Sequence, residues 1–125
     1  MRILVIADIH ANLNALESVL MDAKDNYDVA WCLGDIVGYG PDPNECIQVI
    51  QTLPEFICLA GNHDYATVGN MDLSTFNPIA YQALSWTQNI LTNESHNYLH
   101  KLSIDLNLRY AASPWGVQGF MRVIF

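Results

Sequence analysis

Three short apolar runs constrain this chain most: RILVIA at 2–7, DVAWCL at 28–33 and FICLA at 56–60, each giving way to polar residues at its carboxyl end. Unbroken apolarity over strand length marks a strand buried on both faces, as parallel sheets require. Between the first two runs, Leu13, Leu16, Leu20 and Ala23 recur at helical spacing, with Asn12 or Asn14 as N-cap and Glu17 as a capping-box partner. Asp42-Pro43-Asn44-Glu45 opens a second helix, which turns Ile47, Ile50 and Leu53 inward and ends at Pro54. Strand, helix, strand, helix, strand with short connections demands parallel pairing through right-handed crossovers. The expected class is therefore α/β, with a parallel-sheet βαβαβ core.

Past residue 65 the pattern changes. Asn77-Pro78 opens a helix with Ile79, Ala83, Trp86 and Ile90 on one side, and Thr92 or Asn93 caps another that holds Leu99 and Leu102. Ile104, Leu106, Leu108 and Tyr110 alternate with polar residues, which predicts a further strand after the helices. The closing segment AASPWGVQGFMRVIF is apolar without a clear period. With no repeat and no linker, residues 1–125 read as a single domain.

Composition narrows the function. A formal charge of −8 argues against general nucleic-acid binding, which needs clustered Lys and Arg, but leaves phosphate substrates open because a bound cation reverses the local field. Cys32, Cys46 and Cys58 sit in apolar runs and read as reduced core cysteines. No apolar stretch approaches the ~20 residues of a membrane span. MRILVIADIH lacks a signal-cleavage pattern, so a cytoplasmic location is expected.

The polar residues then fall into place. The strands end in Asp8-Ile9-His10, in Gly34-Asp35 and in Gly61-Asn62-His63-Asp64. Ligands of open α/β sheets bind at these carboxyl ends, so the clusters should converge. Asp8 and His10, two apart on an extended chain, should point the same way, and Gly34 and Gly61 should allow sharp turns. Taken singly, Asp8 reads as a helix cap, Asp35, Asn62 and Asp64 as turn residues, and His63 as an ordinary surface histidine. Their coincidence on three equivalent strand ends favours a joint role. Converging carboxylates repel each other without a cation, and mixed oxygen and nitrogen donors suit manganese, iron or zinc. A dinucleotide site would need Gly-x-Gly-x-x-Gly where the chain reads Asp-Ile-His-Ala-Asn.

The set Asp8-x-His10, Gly34-Asp35 and Gly61-Asn62-His63-Asp64 resembles the calcineurin-like metallophosphoesterase family. MRILVIADIHANLNALESVL, WCLGDIVGYGPDPNECI and DLSTFNPIAYQALSWTQNIL are similar to its small bacterial phosphodiesterase-type branch, and the likeness covers residues 1–108, leaving 109–125 as a divergent tail. The resemblance implies the first half of a four-layer sandwich and a two-metal site. Asp8 and His10 would bind the first metal, Asp35 would bridge both, and Asn62 would bind the second. A metal-bridging hydroxide would attack phosphorus, His63 would stabilise the transition state or protonate the leaving oxygen, and Asp64 would orient the His63 ring. The substrate would be a phosphoester small molecule or a nucleotide.

Later family motifs supply further histidines. Where relatives read His-Gly-Ser-Pro this chain reads Ala111-Ala112-Ser113-Pro114, and no Gly-His-x-His follows. His96 and His100 precede the right place and read as a solvated helix face. The expectation is one divalent cation, where the family resemblance implies two, and impaired hydrolysis. The alternative is an inactive remnant that binds metal, phosphate or a partner. A half-sandwich would leave one sheet face bare, to be covered by a homodimer or by a rearranged apolar C-terminal segment.

Overall fold

The computed structural model describes residues 1–104. Three strands, β1 (Ile3–Ile6), β2 (Val29–Cys32) and β3 (Ile57–Cys58), form one parallel sheet in the order β1-β2-β3. Helices α1 (Leu13–Ala23) and α2 (Pro43–Ile50) make the two crossovers. The short helix α3 (Asn62–Thr67), a 3-10 turn at Leu73–Thr75, α4 (Pro78–Ile90) and α5 (Asn93–His100) follow. The parallel α/β core is the one the apolar runs predict. After α5 the chain returns beside β3, where Leu59 bridges Ser103 in parallel. The further strand expected at 104–110 lies almost wholly outside the described residues, as does the tail.

Each helix starts where its sequence offers a cap. Asn12 accepts from the Ala15 N–H and Asn77 from the Ala80 N–H, while Thr92 Oγ1 accepts from the Ser95 N–H. Asn12 caps α1 with Ala15 three residues on, so Glu17 sits too late to complete a capping box. Asp42 precedes α2 without a side-chain cap bond, and Pro43 supplies the fixed φ of the first position.

One face of the sheet is well covered. Cys32 and Cys58, partners on neighbouring strands, pack with Leu16 of α1, Cys46, Ile47 and Ile50 of α2, and Leu99 of α5. All three cysteines are buried and unbridged. The opposite face carries the row Val5, Trp31 and Ile57, register partners across the strands, with Val5 52% exposed. On α4 the core side is Ala80, Leu84 and Thr87. The apolar side read from the sequence, Ile79, Ala83 and Trp86, turns away from that core, with Ile79 and Trp86 exposed. No helix among the described residues is long and apolar enough to cross a membrane.

Candidate metal centre

The loops after the three strands are laced together by backbone hydrogen bonds before any side chain is considered. Asp8 N–H donates to Gly34 O at 3.1 Å, His10 N–H to Asp35 O at 2.9 Å, and Ala11 N–H to Ile36 O at 2.8 Å. Gly40 N–H returns to His10 O at 2.9 Å, and Asp42 N–H to Ala11 O at 3.0 Å. The glycines serve close approach. A Cβ on Gly34 would lie 2.5 Å from Gly61 N, and one on Gly61 would strike the Asp35 carboxylate. Gly34 also has φ +114°, whereas Gly61 has φ −85° and ψ 179°, so Gly61 is needed for space rather than for a sharp turn.

Asp8 and His10 do converge, by a route that strand alternation does not foresee. Strand β1 ends at Ile6, and Asp8, His10 and Ala11 have φ of 54°, 47° and 54°, all left-handed. Asp35 has φ 54° as well. Such backbone costs about 1–3 kcal/mol per residue and gathers at functional sites. It brings one donor atom each from Asp8, His10 and Asp35 within 4.8 Å of one another. His10 Nε2 lies 3.7 Å from Asp8 Oδ1, while its Nδ1 lies 3.1 Å from Val37 O. A backbone carbonyl at Nδ1 favours the proton there and leaves the Nε2 lone pair facing the carboxylates, the arrangement of a metal-binding histidine. Among the described residues neither Asp8 nor Asp35 is paired with a lysine or arginine. The donor set therefore fits a divalent cation, and Asp8, at the solvent edge, leaves the site open.

Asn62 opens α3 at the same rim and is exposed, next to His63, whose backbone N–H donates to Asp35 Oδ1 at 3.0 Å. His63 is buried, 7% exposed, in an aromatic cage. Its ring lies 4.8 Å from His10, 4.9 Å from Tyr39 and 5.1 Å from Phe76, centroid to centroid. Among the described residues its Nδ1 has no hydrogen-bond partner, and burial depresses its basicity, opposed by the negative charge of Asp35. Burial thus favours the neutral imidazole.

Asp64 does something other than hold the His63 ring. Its Oδ1 accepts from the N–H groups of Ile36 (2.9 Å) and Val37 (3.1 Å), and Oδ2 accepts from that of Gly61 (2.9 Å). The carboxylate is thus committed to tying the second loop to the third. Burial pushes its pKa up to about 7, against the pull of those N–H donors.

Three contributors escape the sequence reading: the Val37 carbonyl, Tyr39 and Phe76. Tyr39 stands T-shaped against His10 with centroids 5.0 Å apart. Its signal was present in Gly38-Tyr39-Gly40, an aromatic held between glycines within the second loop. The stacked pair His96 and His100 lies apart from this group on α5.

A parallel α/β sheet with two carboxylates and an imidazole gathered at its strand ends is a candidate site for a divalent cation. Comparison with known proteins gives the particular family. Residues 1–118 match the calcineurin-like phosphoesterase family, and the chain belongs to it. An uncharacterized protein of Methanocaldococcus jannaschii is 44% identical over 103 residues, 82% of this chain and 42% of that protein. The crystal structure of a metallophosphoesterase from Sphaerobacter thermophilus is 51% identical with a TM-score of 0.68, covering 82% of this chain and 41% of that one. A hypothetical protein from Pyrococcus horikoshii (24% identity, TM-score 0.68, 82% and 48% of the two chains) and a putative diadenosine tetraphosphatase (23%, 0.62, 81% and 42%) share the fold. The chain thus spans less than half the length of these relatives.

Proposed function

We propose that the protein is a metal-dependent phosphoesterase, acting on a phosphomonoester or phosphodiester of a small molecule or nucleotide. The observation that carries this reading is the convergence of Asp8, His10 and Asp35 within 4.8 Å, unpaired with any Lys or Arg among the described residues, in a phosphoesterase-family fold. Asp8, His10 and Asp35 hold one cation, and Asn62 offers an amide oxygen towards a second. Manganese is the first choice, then iron or zinc. When bound, the cation supplies positive charge to the phosphoryl oxygens and a more acidic water.

The chain's own residues do the rest. Val37 O fixes the His10 tautomer, and Asp64 locks the loops that carry Asp35 and Asn62. His63, caged by aromatic rings and with its basicity depressed by burial, is the residue we assign to assist the leaving oxygen. With three strong donors for one cation and a lone amide beyond, this chain should bind one divalent ion and turn over slowly. The sheet face with Val5 half exposed favours a homodimer, and three unbridged cysteines suit the reducing cytoplasm.

The test is titration calorimetry with manganese, alongside hydrolysis of an aryl phosphodiester. Wild type should take up one ion, and Asp8→Ala should weaken uptake by at least about 10–100-fold, because even outer partners of a metal site cost that much. Two tight sites with rapid turnover would refute the impairment. No uptake at all would remove the metal site itself.

A further inference from the structure

Beside the candidate metal centre, the second loop and α4 border a wide-open surface hollow of about 430 Å³, lined by Tyr39, Pro41, Ile79, Gln82, Ala83 and Trp86. That volume lies in the ordinary range of small-molecule sites. Among the described residues no charged side chain lines it. Single exposed apolar residues are common on any surface, but here Ile79 (72% exposed), Tyr39 (49%) and Trp86 (45%) gather round one hollow. Helix α4 already buries a separate face through Ala80, Leu84 and Thr87, so this second apolar side contributes nothing to the core.

Tyr39 belongs to both places. Its ring touches His10 and His63, and it also forms a wall of the cavity. The chain accepts a left-handed tyrosine (φ 60°) to put it there, between Gly38 at φ 96° and Gly40, where a Cβ would strike the His10 carbonyl. Tyr39 is thus shared between the hollow and the candidate metal centre.

We propose that this cavity is a subsite for the planar aromatic group of a phosphoester, a nucleobase or an aryl ring, whose phosphate lies at the metal centre; the proposal rests on the phosphoesterase reading above. Trp86 and Tyr39 offer π-faces, Pro41 and Ile79 apolar walls, and the Gln82 amide one donor and one acceptor for a ring edge. Stacking of this kind tolerates any base, because every base has a π-face. The uncharged lining disfavours a second phosphate, so a phosphate chain would have to run elsewhere.

The full chain loaded with manganese should bind phenyl phosphate and adenosine monophosphate about tenfold more tightly than methyl phosphate, as stacking on one aromatic allows. Trp86→Ala should bring all three within about twofold. Ala83→Trp, which fills the cavity from a half-buried position, should do the same without removing the tryptophan. Adenosine alone, with no metal, should shift the Trp86 indole N–H resonance, assigned by its loss in Trp86→Phe. Tighter binding of the nucleotide than of the phenyl ester points to a nucleobase, and the reverse order to an aryl group. Equal binding of phenyl and methyl phosphate, or a preference that survives both variants, overturns the subsite alone. Failure of methyl phosphate and inorganic phosphate to bind the loaded chain at all overturns the phosphoesterase reading, and this one with it.

Discussion

At the scale of single residues, the site is held by contacts too close to admit a methyl group. Gly61→Ala would press its Cβ onto the carboxylate of Asp35, one of the three candidate metal ligands. The expected result is a loss of about 1–3 kcal/mol of stability, the usual cost of overpacking, with manganese uptake weakened at least about tenfold. Denaturant unfolding and calorimetry on the same sample check both, and an unaltered affinity would separate Gly61 from the site. His63 makes a prediction about pH. Its folded-state pKa lies below the ordinary 6.5, so below that value the unfolded chain binds more protons than the folded one. Stability of the metal-free chain should therefore fall as the pH drops through about 6.5 and below, and His63→Gln should remove that part of the slope in thermal melts against pH. The convergence of Asp8, His10 and Asp35 was legible in the sequence, because they follow equivalent strand ends. What Asp64 does was not, because three backbone N–H groups as partners have no sequence signature.

At the scale of elements, periodicity revealed the helices and strands but not which side of α4 meets the core. Both of its sides are apolar enough to qualify, and only the position of α3 and the 3-10 turn decides in favour of Ala80, Leu84 and Thr87. Helix α3 itself read as a turn, since Asn62 and Asp64 favour turns locally. The Asp64 bond back to Gly61 N–H instead stabilises a first helical turn. A long-range amide clamps the later helices. Asn44, on α2, donates to Ile90 O and accepts from Thr92 N–H, both at 3.0 Å, and so fixes the junction between α4 and α5. Asn44→Ala leaves both groups without that partner and should cost about 1–3 kcal/mol. Asn44→Asp keeps the acceptor and should recover part of the loss. Urea denaturation of the three proteins would show whether this clamp carries weight.

At the scale of the whole molecule, the two faces of the sheet are unequal. The face with Cys32 and Cys58 is roofed by α1, α2 and α5, while the row Val5, Trp31 and Ile57 looks the other way with Val5 half exposed. The sequence foretold apolarity on both sides of these strands, which a continuous run such as RILVIA always implies. It carried no information on what covers the second side. Apolar sheet faces of this kind rarely stay in water. A homodimer built on this row should appear in sedimentation at tens of micromolar, and Val5→Lys should return it to a monomer with a change in stability of at most about 0.5 kcal/mol, typical of a surface substitution. A wild-type chain that sediments as a monomer, with Val5→Lys lowering its melting temperature instead, would place the cover within the chain. The candidate metal centre lies at the carboxyl ends of the same strands, so covering the sheet should also steady the loops that hold Asp8 and Asp35. Manganese affinity is therefore expected to fall together with dimer content in Val5→Lys, although Val5 touches no candidate ligand.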